Sequence, residues 1–209
     1  MRVAGLVAAA GASSRMGFPK ALLAPRGGPP LLLSLARAFR EGGAETVFTT
    51  LPPDDVVASP HRPTLMALRR ALDDADVIAL HNEDWESGLI GSVRTVLRRA
   101  PDVDVLVFTP VDAPACTPSL VRALIQEATR HTGHAAHPLH DARPGHPLLL
   151  PRALFAPVLA FTSEGGVRAA LSGHPVRGVA WEDARVLASV DVPSAAEAWD
   201  PPLTCWQPG

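Results

Sequence analysis

The chain has 209 residues, with 19 basic against 21 acidic side chains and a formal net charge of −2; that balance excludes the electrostatic footprint of a dedicated nucleic-acid binder. Hydrophobic residues make up 47% and charged residues 19%, which suits one folded domain, or at most two, and excludes wholesale disorder. No run of about 18 apolar residues is present, so no membrane helix is expected.

The elements follow in chain order. Val3–Ala9 reads as a strand buried on both faces, because it does not alternate. With Arg2 before it, the same stretch could imitate a secretory leader; a buried strand running into the Gly11 turn explains it as well and is the preferred reading. Leu31–Glu41 reads as a helix with Leu32, Leu35, Ala36 and Phe39 on one face and Gly42-Gly43 as its stop. Ala44–Leu51 is a second strand, Pro52–Pro63 a loop, Thr64–Asp73 a helix and Val77–Leu80 a third strand. Gly91–Arg99 is a helix with Val93, Val96 and Leu97 inward and its arginines outward. Val103–Thr109 reads as the central strand, and Thr117-Pro118 opens a helix to about His131 with a capping hydroxyl and a proline at the first position.

Beyond that the pattern loosens. His134–Leu139 and His146–Leu150 flank a turn-rich segment and read as a hairpin. Arg152–Phe161 and Gly165–Leu171 are short helices, Val176–Ala180 and Val186–Val190 strands, Ala195–Trp199 a helical turn, and Asp200–Gly209 a loose proline-rich tail. Strands alternating with helices imply a mostly parallel sheet covered on both faces, a single-domain Rossmann-like α/β fold over residues 1–199. Cys116 and Cys205 form neither a disulfide framework nor a metal-type pair, which points to reduced thiols in a cytoplasmic protein.

The segment Ala8-Ala9-Ala10-Gly11-Ala12-Ser13-Ser14-Arg15-Met16-Gly17-Phe18-Pro19-Lys20 lies just beyond a strand's carboxyl end, where doubly wound sheets bind ligands. Small residues from 8 to 14 let the backbone approach a ligand closely, and successive N–H groups can cradle an anion. Arg15 and Lys20 add two cations, so a polyphosphate fits. Eighteen of the 19 basic residues are arginine and Lys20 is the single lysine, which sharpens interest in its position. The spacing matches neither G-x-G-x-x-G nor the G-x-x-x-x-G-K-[ST] loop.

The run from Ala9 through Lys20 to Leu22-Leu23 resembles the signature of the molybdenum-cofactor nucleotidyltransferases, most closely their cytidylyltransferase branch. Further landmarks of that family occur in order: Asn82-x-x-Trp85-x-x-Gly88-x-x-x-Ser92, Val111-Asp112-Ala113-Pro114, Gly145-His146-Pro147, Gly165-Gly166-Val167-Arg168 and Val190-Asp191-Val192-Pro193. The resemblance implies the nucleotide-diphospho-sugar transferase type of fold, with Ala9, Ala10, Gly11, Ala12, Ser13, Ser14, Arg15 and Lys20 around an NTP. It further implies Asp112 and Asp191 on Mg2+, and Asn82, Gly88, Ser92, His146 and Arg168 on the acceptor or ribose side. Lys20, Arg15 and Asp112 would carry catalysis. A turn carboxylate is the plain alternative for either aspartate.

The implied reaction has a phosphate oxygen of the acceptor attack the α-phosphorus of the NTP and expel pyrophosphate. A phosphate monoester, with a second pKa of about 6, is already ionised at neutral pH, so no general base is needed. Positioning and charge neutralisation remain. Ala10 stands where the guanylyl branch has glycine, and its methyl favours a pyrimidine; CTP is the expected nucleotide and molybdopterin the expected acceptor, with a molybdoenzyme as possible recipient. A sugar or alditol phosphate acceptor is the alternative, as is a nucleotide-binding chaperone without activity, since Ser194 and Ala195 replace acidic residues frequent in the family. Five of the eight histidines lie in His131–His146; glycines and prolines there favour a hairpin that scatters the rings over a metal-binding helix face.

Overall fold

Val3–Ala8 forms β1, and all six of its residues are buried. The computed structural model describes every residue except Ala12 and Gly209. After β1 the chain forms β2 (Leu23–Pro25), α1 (Leu31–Gly42), β3 (Thr46–Leu51), α2 (Arg62–Asp74), β4 (Ile78–His81), α3 (Leu89–Arg99), β5 (Val105–Pro110) and α4 (Pro118–Arg130). It continues through β6 (Ala135–His140), β7 (Arg143–Pro144), β8 (Leu148–Pro151), α5 (Phe155–Ala160), α6 (Gly166–Ala170), β9 (Val176–Ala180), α7 (Pro193–Glu197) and β10 (Leu203–Cys205).

The main sheet has the order β4-β3-β1-β5-β8-β6-β7, with β9 on β6. β4, β3, β1 and β5 run parallel, so their carboxyl ends open on one edge. β8 then enters antiparallel beside β5. Both faces are covered. Val3 and Val7 of β1 join a core with Leu35 and Phe39 of α1, Leu68 of α2 and Leu120 and Leu124 of α4. Ala4, Leu6 and Ala8 join the opposite core with Val93 and Val96 of α3, Phe155 and Val158 of α5 and Val167 of α6. A strand buried on both sides cannot alternate, which is why its pattern is a continuous apolar run.

Local signals are met at the helix ends. α1 stops at Gly43 in the left-handed conformation, φ +116°, as a glycine C-cap allows. Thr117 Oγ1 accepts from the Leu120 N–H at 3.3 Å and caps α4. α2 begins two residues earlier than its apolar spacing predicts, because Pro63 serves as an opening residue.

Three expectations are corrected. Val186–Val190 is not a strand: Ala184–Leu187 forms a 3-10 turn, and apart from bonds within that turn the backbone of this stretch is bonded singly to two distant segments, His146 N–H to Val186 O and Val190 N–H to Asp112 O. Buried Val186 and Val190 mimic strand alternation without a ladder. Asp200–Gly209 is not a loose tail: Leu203–Cys205 pairs antiparallel with β2, and Leu203 is buried. Arg94 of α3 does not face outward with Arg98 and Arg99. It is buried, with Nε donating to Val158 O at 3.2 Å and Nη1 to Asp84 Oδ2 at 3.2 Å. A guanidinium inside the fold is tolerated because its charge and its Nε and Nη1 donors are paired. Among the described residues, no helix is long and apolar enough to cross a membrane.

Candidate active site

The loop after β1 is built by its own polar groups. Ala9 N–H continues the sheet with a bond to Thr50 O at 3.0 Å, and Ala9 and Ala10 are buried. Ser13 adopts a left-handed backbone, φ +54°. Its hydroxyl donates to Gly11 O at 3.1 Å and accepts from the Lys20 N–H at 2.8 Å, while its carbonyl accepts from Met16 N–H at 2.9 Å. Met16, with 3% of its surface exposed, anchors the far side of the loop in the core. The Leu22 N–H bonds to Pro19 O at 2.8 Å and closes a 3-10 turn, with Ala21 and Leu22 fully buried. The Lys20 backbone is thereby pinned from both sides. Ala12 lies outside the described residues.

Two carboxylates meet the Lys20 ammonium. Asp112 follows β5, whose end is tied to β1 by Val111 N–H donating to Ala8 O at 2.9 Å. Asp191 comes from far along the chain and is brought in by the Val190 N–H bond to Asp112 O, 2.7 Å. Lys20 Nζ donates to Asp112 Oδ2 at 2.5 Å and also to Asp191 Oδ1. Ser189 Oγ donates to Asp191 Oδ2 at 3.0 Å, and Arg15 lies 3.5 Å from Asp191 Oδ1 with its side chain 69% exposed.

The electrostatics follow from this cluster. Burial pulls the Lys20 pKa down, but the hydrogen bonds and charges of Asp112 and Asp191 outweigh it and leave it above the ordinary lysine value. The Lys20 hydrogen bond, opposed by burial and helped by Ser189, holds the Asp191 carboxyl below the usual carboxylate range. Lys20 is therefore an ammonium at neutral pH and Asp191 a carboxylate.

A cavity of about 370 Å³ opens here at the carboxyl edge of the parallel strands. Its wall brings together Ala9, Ala10, Gly11, Ser13, Ser14, Arg15 and Lys20 with Gly88, Ser92, Asp112 and Asp191. Leu89, Pro110 and Val111 also line it; in the sequence Val111 is marked only as the neighbour of Asp112, and Leu89 and Pro110 carry no signal. The donor set suits Mg2+: two carboxylates converge on one cationic point, and the open cavity leaves the remaining positions to waters and phosphate oxygens, as that ion prefers. Among the described residues no group of three His, Cys, Asp or Glu side chains gathers around a metal-sized point, so the rest of such a shell would come from the ligand.

Other residues expected at the site do different work. Asn82 is fully buried. Its Nδ2 donates to Ser92 Oγ at 3.2 Å, and its Oδ1 accepts from Asp84 N–H at 3.1 Å and Thr95 Oγ1 at 3.0 Å, so its side chain braces the loop before α3 and does not line the cavity. Ser92 Oγ is further held by Thr50 Oγ1 at 2.8 Å. Gly88, at φ +69° and ψ −139°, takes a backbone that only glycine adopts readily, and it opens α3 at the cavity wall. Arg168, on α6, is exposed and lies outside the lining. His146 also lies outside the lining but near enough to feel the Asp112 charge; burial keeps its pKa below the ordinary histidine value, against the pull of Asp112, and its buried Nδ1 has no partner among the described residues. Of the other histidines in 131–146, His137 and His140 lie on β6, where His140 Nδ1 meets Trp181 O at 2.9 Å, while His131 and His134 precede it and pack edge-on against each other.

With this geometry in place, the relatives are informative. Residues 5–193 match the family model of the MobA-like NTP transferase domain. A molybdenum cofactor guanylyltransferase of Xanthomonas euvesicatoria pv. vesicatoria is 34% identical over 121 residues, 58% of this chain and 52% of that protein, so the similar region spans about half of that relative. A molybdenum cofactor cytidylyltransferase of Escherichia coli is 26% identical over 188 residues, 90% of each chain. Among solved structures, Rv0371c of Mycobacterium tuberculosis shares the fold at a TM-score of 0.72 and 24% identity, covering 93% of this chain and 95% of that one. The 2-C-methyl-D-erythritol 4-phosphate cytidylyltransferase of Thermus thermophilus shares it at 0.61 and 19% identity, covering 91% and 93%. The chain belongs to the MobA-like NTP transferase family.

Proposed function

We propose that this member of the MobA-like NTP transferase family transfers CMP from CTP to the terminal phosphate of a molybdopterin-type acceptor, releasing pyrophosphate, with Mg2+ held by Asp112 and Asp191. The observation that carries the reading is the convergence of Lys20, Asp112 and Asp191 at the mouth of the loop after β1. A loop of small residues with Arg15 and Lys20 on it neutralises a polyphosphate, and paired carboxylates hold the cation such a ligand carries.

The chain's residues then act by position. The backbone of Ala9, Ala10, Gly11, Ser13 and Ser14 lines the nucleotide's phosphates. Lys20 neutralises charge that develops as the α-phosphorus is attacked, and Arg15, exposed at the cavity mouth, meets the leaving pyrophosphate. Bound Mg2+ would add Lewis-acid neutralisation of the phosphate oxygens. No side chain need remove a proton, since the acceptor phosphate is already ionised. In favour of CTP stands the Ala10 methyl, buried in the cavity wall where a hydrogen would give a purine more room.

The test is pyrophosphate release and thermal stabilisation with CTP, GTP, ATP and UTP, each with and without Mg2+ and with molybdopterin as acceptor. CTP is expected to give Mg2+-dependent stabilisation and turnover above the others. Preference for GTP would remove the cytidylyl assignment, and no response to any nucleotide would remove the transferase reading. Turnover of CTP with a sugar phosphate but not molybdopterin would move the chain to the sugar-phosphate cytidylyltransferases.

A further inference from the structure

The stretch that reads as a loose tail in the sequence pairs with the strand that follows Lys20. β10 pairs with β2 in the register Leu203↔Pro25, Thr204↔Ala24 and Cys205↔Leu23, and β2 begins three residues after Lys20. The pairing extends at both ends: Trp206 N–H donates to Leu22 O at 2.7 Å, and Arg26 N–H to Pro202 O at 3.3 Å. Leu203 is 3% exposed, and Cys205 and Trp206 pack half-buried against the same core as Leu22, Leu23 and Met16. The Trp206 bond therefore lands on the 3-10 turn Lys20–Leu22 itself.

The other end of this segment leads back to the site. From Asp191 the chain runs through α7 (Pro193–Glu197) to Leu203. Lys20 and Asp191 are joined by their ion pair, and their segments are joined again by the β2–β10 ladder. The two links close a ring of chain around the ammonium–carboxylate contact. The family match ends at residue 193, so the second link comes from residues that the match does not reach.

We infer that Leu203–Trp206 is a positioning strap: it fixes the turn carrying Lys20 so that the ammonium is presented at the cavity mouth beside Asp112 and Asp191, within reach of an incoming phosphate, and Trp206 is its key residue. The inference rests on the phosphate-binding reading of Lys20 for its catalytic consequence, but the strap itself can be tested without turnover. A side chain held by a pre-set backbone loses less freedom on binding, and the Trp206 bond adds a distant tether to a turn whose other bonds come from residues 13–23.

Lys20 is the single lysine of the chain, which gives a direct readout. Its acylation rate with an amine-reactive ester, followed by mass spectrometry on the tryptic peptide, reports how often the ammonium leaves its partners. Trp206→Pro removes the N–H that reaches Leu22. In folded Trp206→Pro, Lys20 acylation is expected to rise about tenfold or more, with kcat for pyrophosphate release falling by a similar factor. Trp206→Ala keeps the N–H and is expected to show a smaller rise. An acylation rate for Trp206→Pro within about twofold of the wild type would overturn the strap. Should Trp206→Pro fail to fold, hydrogen exchange on the intact chain decides: the Trp206, Lys20 and Leu22 amides are expected to open together, and early exchange of Trp206 with Lys20 and Leu22 still protected overturns it. If the wild type turns over no nucleotide while acylation responds to Trp206→Pro, the proposed function fails and the strap stands.

Discussion

Replacing Lys20 by methionine keeps the length of the side chain and removes the one cation that Asp112 and Asp191 share. The Lys20 and Asp112 side chains are 15% and 16% exposed and that of Asp191 38%, so the cluster lies between a surface pair, worth about 0–1 kcal/mol, and a fully buried one, whose breakage costs about 3–5 kcal/mol. A loss of about 1–3 kcal/mol in unfolding free energy is expected, measured by urea titration. Its pH dependence is fixed by the signs. The folded Asp191 pKa is depressed, chiefly by the Lys20 hydrogen bond, so its contribution is present above the unfolded value and lost as pH falls through the folded one. Lys20 is raised against its burial by the two carboxylates, so its contribution is present below the unfolded value of 10.5 and lost as pH rises through the folded one. The stability gap between wild type and Lys20→Met should therefore be flat across neutral pH, close in acid below about pH 3.9, the ordinary aspartate value, and close again in strong alkali. Turnover should fall by about 10²–10³-fold, as when one charge-stabilising donor is removed from a transition state. Mn2+ affinity without nucleotide, read by electron paramagnetic resonance, should rise, because the ion no longer competes with an ammonium for the same two carboxylates. Turnover within about threefold of the wild type, about 0.6 kcal/mol in barrier, would refute the phosphate role of Lys20.

Ser13→Gly retains the left-handed backbone but removes the hydroxyl that links Gly11 O to the Lys20 N–H; a rise of about tenfold in KM for the nucleotide is expected with little loss of stability, checked by steady-state kinetics and thermal melts. Gly91→Ala would put a methyl 1.9 Å from Asp84 O, so the turn before α3 must shift; a loss of about 1–3 kcal/mol in urea unfolding is expected. The Cys116 thiol is buried and its pKa pushed up to about 12, whereas Cys205 is only half-buried on β10, its pKa also raised by burial. A thiol reagent added to the native protein in mildly alkaline buffer should therefore modify Cys205 first and Cys116 only as the protein unfolds, with the labelled peptide identified by mass spectrometry.

What the sequence shows and what it hides divides by the range of the interactions. The loop after β1 is legible because it is local: a doubly buried strand announces itself as an unbroken apolar run, Gly11 and Ser13 supply the turn, and a lone lysine among arginines marks the end where two carboxylates converge. Gly43, Thr117 and Pro118 are read correctly for the same reason. The failures come from partners that no hydrophobic period reports, some far along the chain and some, as at Asn82 and Arg94, a turn or a helix away. Val186 and Val190 alternate like a strand, but their neighbours in space are single loop carbonyls and amides, which no period reports. Arg94 looks like a solvent-facing charge until Asp84 and Val158 O are found to satisfy it. Asn82 looks like a ligand residue until its amide is seen to be consumed by Ser92, Asp84 and Thr95. Leu203–Cys205 is three residues among prolines, too short for any hydrophobic period, and it becomes a strand only because Leu23–Pro25 offers a matching edge. The site itself belongs to both classes. Lys20 could be picked from composition and place, whereas its contact with Asp191 depends on Val190 binding the Asp112 carbonyl across the sheet edge. The convergence on which the proposed polyphosphate site depends therefore lies in the long-range half, and perturbing Val190 should alter nucleotide handling, as should perturbing Trp206 or Ser189, which no motif names.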